Sequence, residues 1–537
     1  MSRRTSPHVL CFAPYTDWSI HSTREVTILQ ALRLRGCTVS YVACDGAFSD
    51  CDLLQESMGA PKQKPANACL VCQANAATKL AAWGMPYRWL GRWMRPEDRA
   101  AAAAWVQGLK PPDYRTAMYG DWEIGAWVRS SVHTHLRMGD LDLDDAHVRA
   151  VFGSYLYSGL LACFALTRLL DEERPDAQLL FNGRMAPARV AFELARRRGI
   201  RTLCEERAIL PGRLMLYDNE HCLGLDSVES LWRAWQDRPL TAAEIDAIGG
   251  VLTDRWRGRA TDVSVFSAGL DAGDAVAQLG LDRNRPIWAL FTSSIDESAD
   301  VDDGRRFPTQ QAWIEATVEY VARRPQVQLA IRVHPNVGSA KSLGRSAQDA
   351  AFYAGLGARL PANVKLVASD SPVSSYGLAA AADVGLVWYS SIGLEMAAMG
   401  KRVLRAAAYW LGVCDFIPTF AQPADYDAFL EHHARAATDS ERRAIAVAAW
   451  RFAHLWYIRQ SLAFPLVRQP KWYVGEMAYT SAGALQPGRD AVLDHICRVF
   501  IDGAPLHALD DPAGGAGRDA SAEAERIRAA ISAVVPA

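Results

Sequence analysis

The sequence has little net charge of either sign and no hydrophobic run long enough to cross a membrane. Its 537 residues carry 58 lysines and arginines against 60 aspartates and glutamates, so the chain as a whole offers no positive field for nucleic acid or an anionic membrane. The apolar run near the start ends at Pro14, too early for a signal peptide or a spanning helix of roughly 20 residues. We therefore expect a cytoplasmic protein that binds no nucleic acid and makes at most peripheral contact with the inner face of the cytoplasmic membrane.

The chain also lacks the cysteine content of a disulfide-bonded secreted domain. Its 11 cysteines are an odd number in a long chain, and several lie inside apolar runs, which is typical of reduced thiols. Cys44, Cys51, Cys69 and Cys72 differ, because they form the pattern C-x6-C-x17-C-x2-C in a stretch rich in turn-forming residues. This spacing predicts a structural zinc site that holds a long loop, with four unligated thiols as the alternative.

Alternating strand and helix patterns predict an α/β fold. The first fifty residues read as strand, amphipathic helix and strand in "HVLCFAPY", "STREVTILQALRLRG" and "CTVSYVACDG", the opening of a doubly wound sheet. The alternation resumes at "AQLLFNGR", and a second series begins at "PIWALFTSS" and includes "VQLAIRVHPN" and "VGLVWYSS". We predict two Rossmann-like domains that face a central cleft, where a ligand would bind.

The pattern divides the chain into an N-terminal domain, a C-terminal domain, a set of helices that pack across both domains, and a flexible tail with one short helix. The N-terminal domain contains the cysteine-rich loop at 44–72 and a helical, aromatic-rich insertion at about 80–172. The tail is rich in Ala, Gly and Asp, a composition that favours disorder. The four parts are residues 1–262, 263–430, 431–505 and 506–537.

Polar residues follow several strands of the second series at the point where each strand ends. Ser390 and Ser391 precede a predicted helix, whose free amides would form an anion site. N-capping is the alternative role for this pair, but neither serine has Glu or Gln three residues later, so Glu395 is not explained by a capping box. His334 ends a strand just before a proline and is either a structural strand-end residue or, with the serines, half of a phosphate site. The other polar residues at these strand ends are Ser293, Ser294, Arg332 and Asn336.

These motifs carry a resemblance to a known group of enzymes. "HP" at a strand end followed by "SS" at a later strand-to-helix turn resembles the paired motifs of bacterial GT-B glycosyltransferases that use CMP-activated sugars, the sialyltransferases and capsule Kdo transferases. A similar pair occurs in the CDP-glycerol glycerophosphotransferases of teichoic acid synthesis. "SSIGLEMAAMGKRVL" is similar to the corresponding helix of capsule-biosynthesis proteins, and "FNGRMAPARVAFELARRRGI" with "CEERA" resembles a block of surface-polysaccharide glycosyltransferases. The resemblance covers most of both predicted sheets and implies the GT-B fold.

The resemblance implies a donor site in the second domain. His334, Ser390 and Ser391 would hold the phosphate of a nucleotide-sugar donor, and Glu395 would lie near the ribose. The residues that would border the same phosphates are Ser293 and Ser294, with Arg332 and Asn336 beside the histidine.

The acceptor would then lie against the first domain. Asn182 and Arg184 follow one of its strands and are assigned to the acceptor side. An incoming hydroxyl must lose its proton to a carboxylate or histidine, and Asp17, His21 and Glu206 are the candidates for this base. Each of the three has a structural alternative, because it could instead cap a helix or pair with a neighbouring arginine.

The implied activity is transfer of a sugar from a nucleotide-activated donor to a growing surface polysaccharide or another glycan or lipid-linked acceptor, without a catalytic metal. A CMP-linked sugar such as Kdo or another nonulosonate is the favoured donor. The alternatives are a CDP-polyol phosphotransferase, a nucleotide-sugar epimerase of the same fold, and a non-catalytic polysaccharide-assembly protein. Polar residues at so many strand ends favour an enzyme, since a disused pocket needs none of them.

Overall fold

The protein contains two mainly parallel β-sheets, one after the other along the chain. The computed structural model describes residues 6–53, 67–260, 268–294, 296, 305–337, 346–471, 474–511 and 514–535. The strands are β1 (His8–Ala13), β2 (Thr38–Ala43), β3 (Tyr87–Trp89), β4 (Ala177–Phe181), β5 (Arg201–Arg207), β6 (Arg213–Asp218), β7 (Ile287–Phe291), β8 (Gln328–Arg332), β9 (Val364–Val367), β10 (Val384–Val387), β11 (Arg402–Arg405), β12 (Ser461–Ala463), β13 (Val467–Lys471) and β14 (Val474–Met477).

Helices cover both sheets. The helices are α1 (Ser19–Leu34), α2 (Ala68–Ala82), α3 (Pro96–Gly108), α4 (Ile124–Leu136), α5 (Ala146–Glu173), α6 (Ala186–Arg197), α7 (Asp226–Trp235), α8 (Ala242–Trp256), α9 (Ala275–Leu279), α10 (Gln310–Ala322), α11 (Ala347–Gly357), α12 (Ser375–Ala381), α13 (Ser391–Ala398), α14 (Tyr426–His433), α15 (Asp439–His454), α16 (Ala491–Asp502) and α17 (Ala520–Ser532).

The first sheet has the strand order β12-β6-β5-β4-β1-β2-β3. The strands from β5 to β3 run parallel, and β6 and β12 pair antiparallel at one edge. Along β1, Leu10 and Phe12 enter a core shared with α4, α5 and α6, whereas Val9 and Cys11 enter a core shared with α1 and α16. Successive side chains of a strand point to opposite faces, so both faces of this sheet are buried.

The second sheet has the order β11-β10-β7-β8-β9, and all five strands are parallel. β7 and β8 are buried along their whole length, as expected for strands covered on both faces. The prediction of an α/β fold with two Rossmann-like domains, the GT-B arrangement, is confirmed by these two sheets.

The region expected as a helical insertion supplies α3, α4 and α5, and it also contributes β3 to the edge of the first sheet. Among the described residues, α5 is the one helix long and apolar enough to cross a membrane, with a mean hydropathy of 1.5 over its most apolar window. Of that window, 67% is buried inside the protein, where α5 packs against α3, α4 and α6. This burial is that of a core helix in a globular domain.

The C-terminal segment connects the two sheets. α15 packs against α13 of the second domain, after which β12 joins the first sheet and α16 packs against α1. The sequence predicts a flexible tail over 506–537, but α17 packs between α8 and α15. Its Ile527 is 1% exposed, and Glu523 is equally buried. Because this segment consists mostly of small residues, its sequence gives little indication of the few positions that face the core.

Candidate functional site

The polar strand-end residues lie at the topological switch points of the two sheets. In the second sheet the chain leaves β7 towards β8 on one side and later returns to β10 on the other, which opens a ligand-binding crevice outside the carboxyl ends of the strands. A pocket of about 80 Å³ lies there, smaller than the roughly 300 to 1,000 Å³ of a site for a whole ligand. It suits one polar end of a larger molecule. Its lining residues are Arg255, Phe291, Thr292, Arg332, Val333, His334, Pro335, Ser375, Tyr376, Ser390, Ser391, Ile392 and Glu395.

His334 lies directly after β8 on the pocket wall. Its backbone N–H donates to Thr292 Oγ1 over 2.8 Å, which fixes the strand end next to the end of β7. Burial lowers the pKa of His334 to about 4. The imidazole is therefore neutral at neutral pH and carries one ring N–H rather than a positive charge.

Ser390 and Ser391 begin α13 at the opposite wall of the pocket. Ser390 occupies the N-cap position, yet its side chain makes no capping hydrogen bond. The hydroxyl is thus not used in the way that the capping alternative requires. A helix start of this kind favours anions, although the Gly393 N–H of this first turn already donates to the Ser390 carbonyl at 2.9 Å.

The other polar strand-end residues of the second domain support the pocket from beside it. The backbone N–H of Ser293 donates to Gln310 Oε1 over 2.7 Å, and Ser294 Oγ donates to Asp296 Oδ1 over 2.7 Å. Neither serine lines the pocket. Arg332 does, but its guanidinium also donates to Ser375 Oγ, 3.1 Å away, and to backbone carbonyls of the loop after β9. The side chain of Asn336 lies outside the part of the chain that the structure describes.

Glu395 is tied to an arginine that the sequence did not single out. Its Oε1 accepts from Arg255 Nε at 2.7 Å and from the Tyr457 hydroxyl at 3.1 Å. Glu395 and Arg255 are 1% and 3% exposed, and both line the pocket. No local signal marks Arg255, which stands in an arginine-rich stretch 140 residues before its partner.

A buried ion pair joins the two domains close to this pocket. Arg137, at the end of α4, donates to Asp296 Oδ2 over 2.7 Å, and their side chains are 7% and 8% exposed. The Asp296 carboxylate also acts on His334 and raises its pKa, against the larger effect of burial. The first domain is thereby held next to the pocket of the second sheet.

The switch point of the first sheet, between β1 and β4, contains a histidine–carboxylate pair. His21 Nδ1 lies 2.6 Å from Glu205 Oε1, and the two residues are 2% and 0% exposed. Burial raises the pKa of Glu205 to about 7 and lowers that of His21 well below its usual value. The sequence assigns the chemistry to Glu206, the neighbour of Glu205, instead.

Glu206 and the acceptor-side residues also converge at this switch point. Asn182 Nδ2 donates to Glu206 Oε2 over 2.7 Å, and Arg184 donates to Ser130 and Thr134 of α4 at 2.8 and 3.0 Å. The turn after β4 has φ of 66° at Asn182 and 67° at Gly183. A Cβ at Gly183 would stand 2.5 Å from the Cys204 sulfur, so this tight turn requires glycine.

Asp17, the third candidate base, lies at the edge of the same crevice. It accepts from Lys79 Nζ, 3.2 Å away, and its side chain is 37% exposed. Of the three candidates, His21 is the one oriented by a buried carboxyl group, that of Glu205.

The four cysteines predicted to bind zinc surround the start of α2 but do not form a metal site in the described residues. No three His, Cys, Asp or Glu side chains converge as ligands in that part of the chain, and all 11 cysteines are free thiols. Burial raises the pKa of Cys44 to about 11 and that of Cys51 further. Residues 54–66 of this loop lie outside the described residues, and zinc binding stays a prediction, testable by elemental analysis.

Comparison with known proteins gives only distant structural similarity. No family model matches the sequence, and no curated protein matches it. KpsC of Thermosulfurimonas dismutans, a beta Kdo 2,4 transferase, is 15% identical, with a TM-score of 0.33 over 52% of this chain and 80% of that one. The calicheamicin glycosyltransferase CalG4 is 14% identical (TM-score 0.26, 84% and 94% covered), as is Acinetobacter baumannii MurG (0.26, 83% and 94%). An activity for this chain therefore has to be argued from its own residues.

Proposed function

We propose that the protein is a GT-B glycosyltransferase that transfers a sugar from a nucleotide-activated donor to a glycan acceptor. The donor is a CMP-linked sugar such as Kdo or another nonulosonate, and the acceptor is a growing surface polysaccharide or a lipid-linked glycan. The reaction takes place in the cytoplasm, near the inner face of the membrane, and needs no catalytic metal. The preference for CMP comes from the resemblance of the "HP" and "SS" motifs.

The pocket at the switch point of the second sheet is the observation that carries this proposal. It brings together a helix start whose N-cap hydroxyl is not used as a cap and a neutral histidine from another strand end. Both offer hydrogen-bond donors to an oxyanion, which is the requirement of a leaving phosphate.

The chemistry divides between the two switch points. At the second sheet, the bond between the anomeric carbon and the phosphate oxygen breaks, and the leaving phosphate keeps the electron pair while Ser390 and His334 donate to it. At the first sheet, the acceptor hydroxyl attacks the anomeric carbon and its proton passes to the base. We assign this base to His21, because Nδ1–H can donate to Glu205 and leave Nε2 to accept the proton.

Nucleotide binding tests the donor assignment. CMP is expected to raise the midpoint of thermal unfolding by several degrees, because a ligand at 100 times its Kd adds about 2.7 kcal/mol to stability. His334→Ala should lose this shift, and His432→Ala, an exposed histidine on α14, should retain it. A shift with CDP but not CMP would favour the polyol phosphotransferase instead. No shift with CMP, CDP, UDP or GDP would overturn the enzyme proposal.

The role of the serine turn can be separated from capping. Ser390→Ala is expected to leave the stability of the free protein unchanged and to weaken CMP binding about tenfold, the effect of one hydrogen bond to a charged group. Thr438→Ala is the matched control, because the Thr438 hydroxyl accepts from the Glu441 backbone N–H at the start of α15. It should cost about 1 kcal/mol of stability and leave CMP binding intact. If Ser390→Ala instead lowered the stability and left the CMP affinity unchanged, Ser390 would have a structural role and the phosphate contact would be wrong.

A further inference from the structure

The phosphate pocket is lined by arginine side chains as well as by His334. Arg255 and Arg332 are the two permanent cations among the residues that line the pocket. Arg332 donates to Ala368, Ser371 and Ser375, all of which follow β9. Arg255 reaches the pocket from a different part of the chain and pairs with Glu395 of α13, the helix whose start the proposed function assigns to the phosphate.

Arg255 reaches the pocket from the last turn of α8, the helix that follows the first sheet in the chain. Its guanidinium lies 5.5 Å from the centre of the Tyr457 ring and donates through Nε to Glu395 Oε1 at 2.7 Å. Tyr457 O–H donates to the same carboxylate oxygen. Burying this ion pair is costly, and the arrangement sets the arginine on the pocket wall beside the first turn of α13.

We propose that Arg255 contacts the donor phosphate and that Glu395 is a positioning residue that holds its guanidinium there. This inference rests on the proposed function, and it replaces the expected contact between Glu395 and the ribose. A guanidinium carries five N–H donors in one plane, in a forked arrangement that matches the oxygens of a phosphate. The hydrogen bond from Nε to the Glu395 carboxylate fixes the orientation of this plane. A bound donor would then contact both α8, which follows the first sheet in the chain, and the start of α13 in the second domain.

The test compares a nucleotide with its nucleoside in a variant that removes both charges. Arg255→Gln combined with Glu395→Gln avoids leaving one buried charge without its partner. By isothermal titration, this double variant should bind CMP about ten to a hundred times more weakly than the unmodified chain and bind cytidine with unchanged affinity. If Arg255 and Glu395 had only a structural role, the double change would lower the affinity for both ligands or for neither. Unchanged CMP affinity, or equal loss for cytidine, would overturn the inference.

Single changes test the two roles separately. Glu395→Gln should weaken CMP binding several-fold and spare cytidine, whereas a loss of cytidine affinity would place Glu395 at the ribose and overturn its positioning role. Arg255→Lys keeps the charge beside Glu395 but lacks the fork, so it should weaken CMP about tenfold. This variant tests the inference even where the double variant does not fold, since unchanged CMP binding in Arg255→Lys would argue against a phosphate contact through the fork.

A matched ion pair away from the pocket serves as the control. Arg168 and Asp98 form a bidentate pair between α5 and α3 of the first domain. Arg168→Gln combined with Asp98→Asn should leave both CMP and cytidine affinities unchanged. If the unmodified chain binds none of CMP, CDP, UDP and GDP, the proposed function itself fails. If it binds CMP and the Arg255 variants bind equally well, only the role of Arg255 is wrong.

Discussion

Replacing Glu205 with glutamine is expected to lower the rate of sugar transfer by about a hundredfold or more, with little change in nucleotide affinity. A general base contributes about 10² to 10⁴ to a rate, and His21 depends on the 2.6 Å contact with Glu205 for its orientation and tautomer. His21→Ala should lose at least as much. The double variant should be no slower than the slower single variant, because groups that act as a unit are not additive. The measurement is the initial rate of CMP release from a CMP-linked sugar.

The pH dependence distinguishes this role from a structural one. Burial raises the pKa of Glu205 to about 7, so the carboxyl gains a proton as the pH falls through 7 and can then no longer accept the His21 N–H as a carboxylate. The rate of the unmodified chain should therefore decline on the acid side of pH 7, and Glu205→Gln should lack that decline. A flat profile from pH 5 to 8 in the unmodified chain would contradict the assignment. Glu193→Gln, a buried carboxyl on α6, should keep the unmodified rate and profile.

Replacing Glu523 with alanine is expected to lower the free energy of unfolding by about 3–5 kcal/mol, the usual result of removing one partner of a buried ion pair. The Glu523 carboxylate accepts from Arg451 Nε and a terminal nitrogen at 2.9 and 2.6 Å and from the Leu240 backbone N–H at 2.7 Å. Alanine would leave a buried guanidinium and a buried amide without this acceptor. Urea unfolding followed by tryptophan fluorescence measures the change.

A neighbouring position on α17 provides the control for this prediction. Glu525 pairs with Arg528 at 2.7 Å on the surface, where its side chain is 64% exposed. Exposed pairs contribute little, so Glu525→Ala should lie within about 1 kcal/mol of the unmodified chain. Equal, small effects of both changes would mean that α17 does not depend on this contact, in keeping with the flexible tail that the sequence predicts for this segment.

Local patterns in the sequence were sufficient for the two sheets. Apolar runs such as "IWALF" and "QLAIR" are buried strands because both faces of a parallel sheet are covered. The alternation with amphipathic helices predicted where each strand ends and hence which polar residues reach the crevices. His334, Ser390 and Ser391 were found in this way, since a strand end is a local property.

Residues that act through distant partners could not be found in this way. Arg255 has no distinctive neighbours in the sequence, and Glu205 stands in "CEERA" beside the glutamate that the sequence favoured. Each is defined by a contact with a residue more than a hundred positions away. The same holds for Glu523, whose buried partners lie in two other helical regions. Contacts between side chains that are distant in the sequence depend on tertiary packing, and a local hydrophobic pattern does not predict them.

The sequence by itself determined the α/β architecture, the position of the switch-point residues and the lack of any global charge. Only the tertiary structure decided how these residues are used. It showed that the Ser390 hydroxyl caps nothing, that Glu395 holds an arginine, and that His21 is bound to Glu205. The reason is physical: strand and helix formation follow from nearest neighbours along the chain, whereas the protonation and hydrogen bonding of a buried group follow from whatever the fold brings against it.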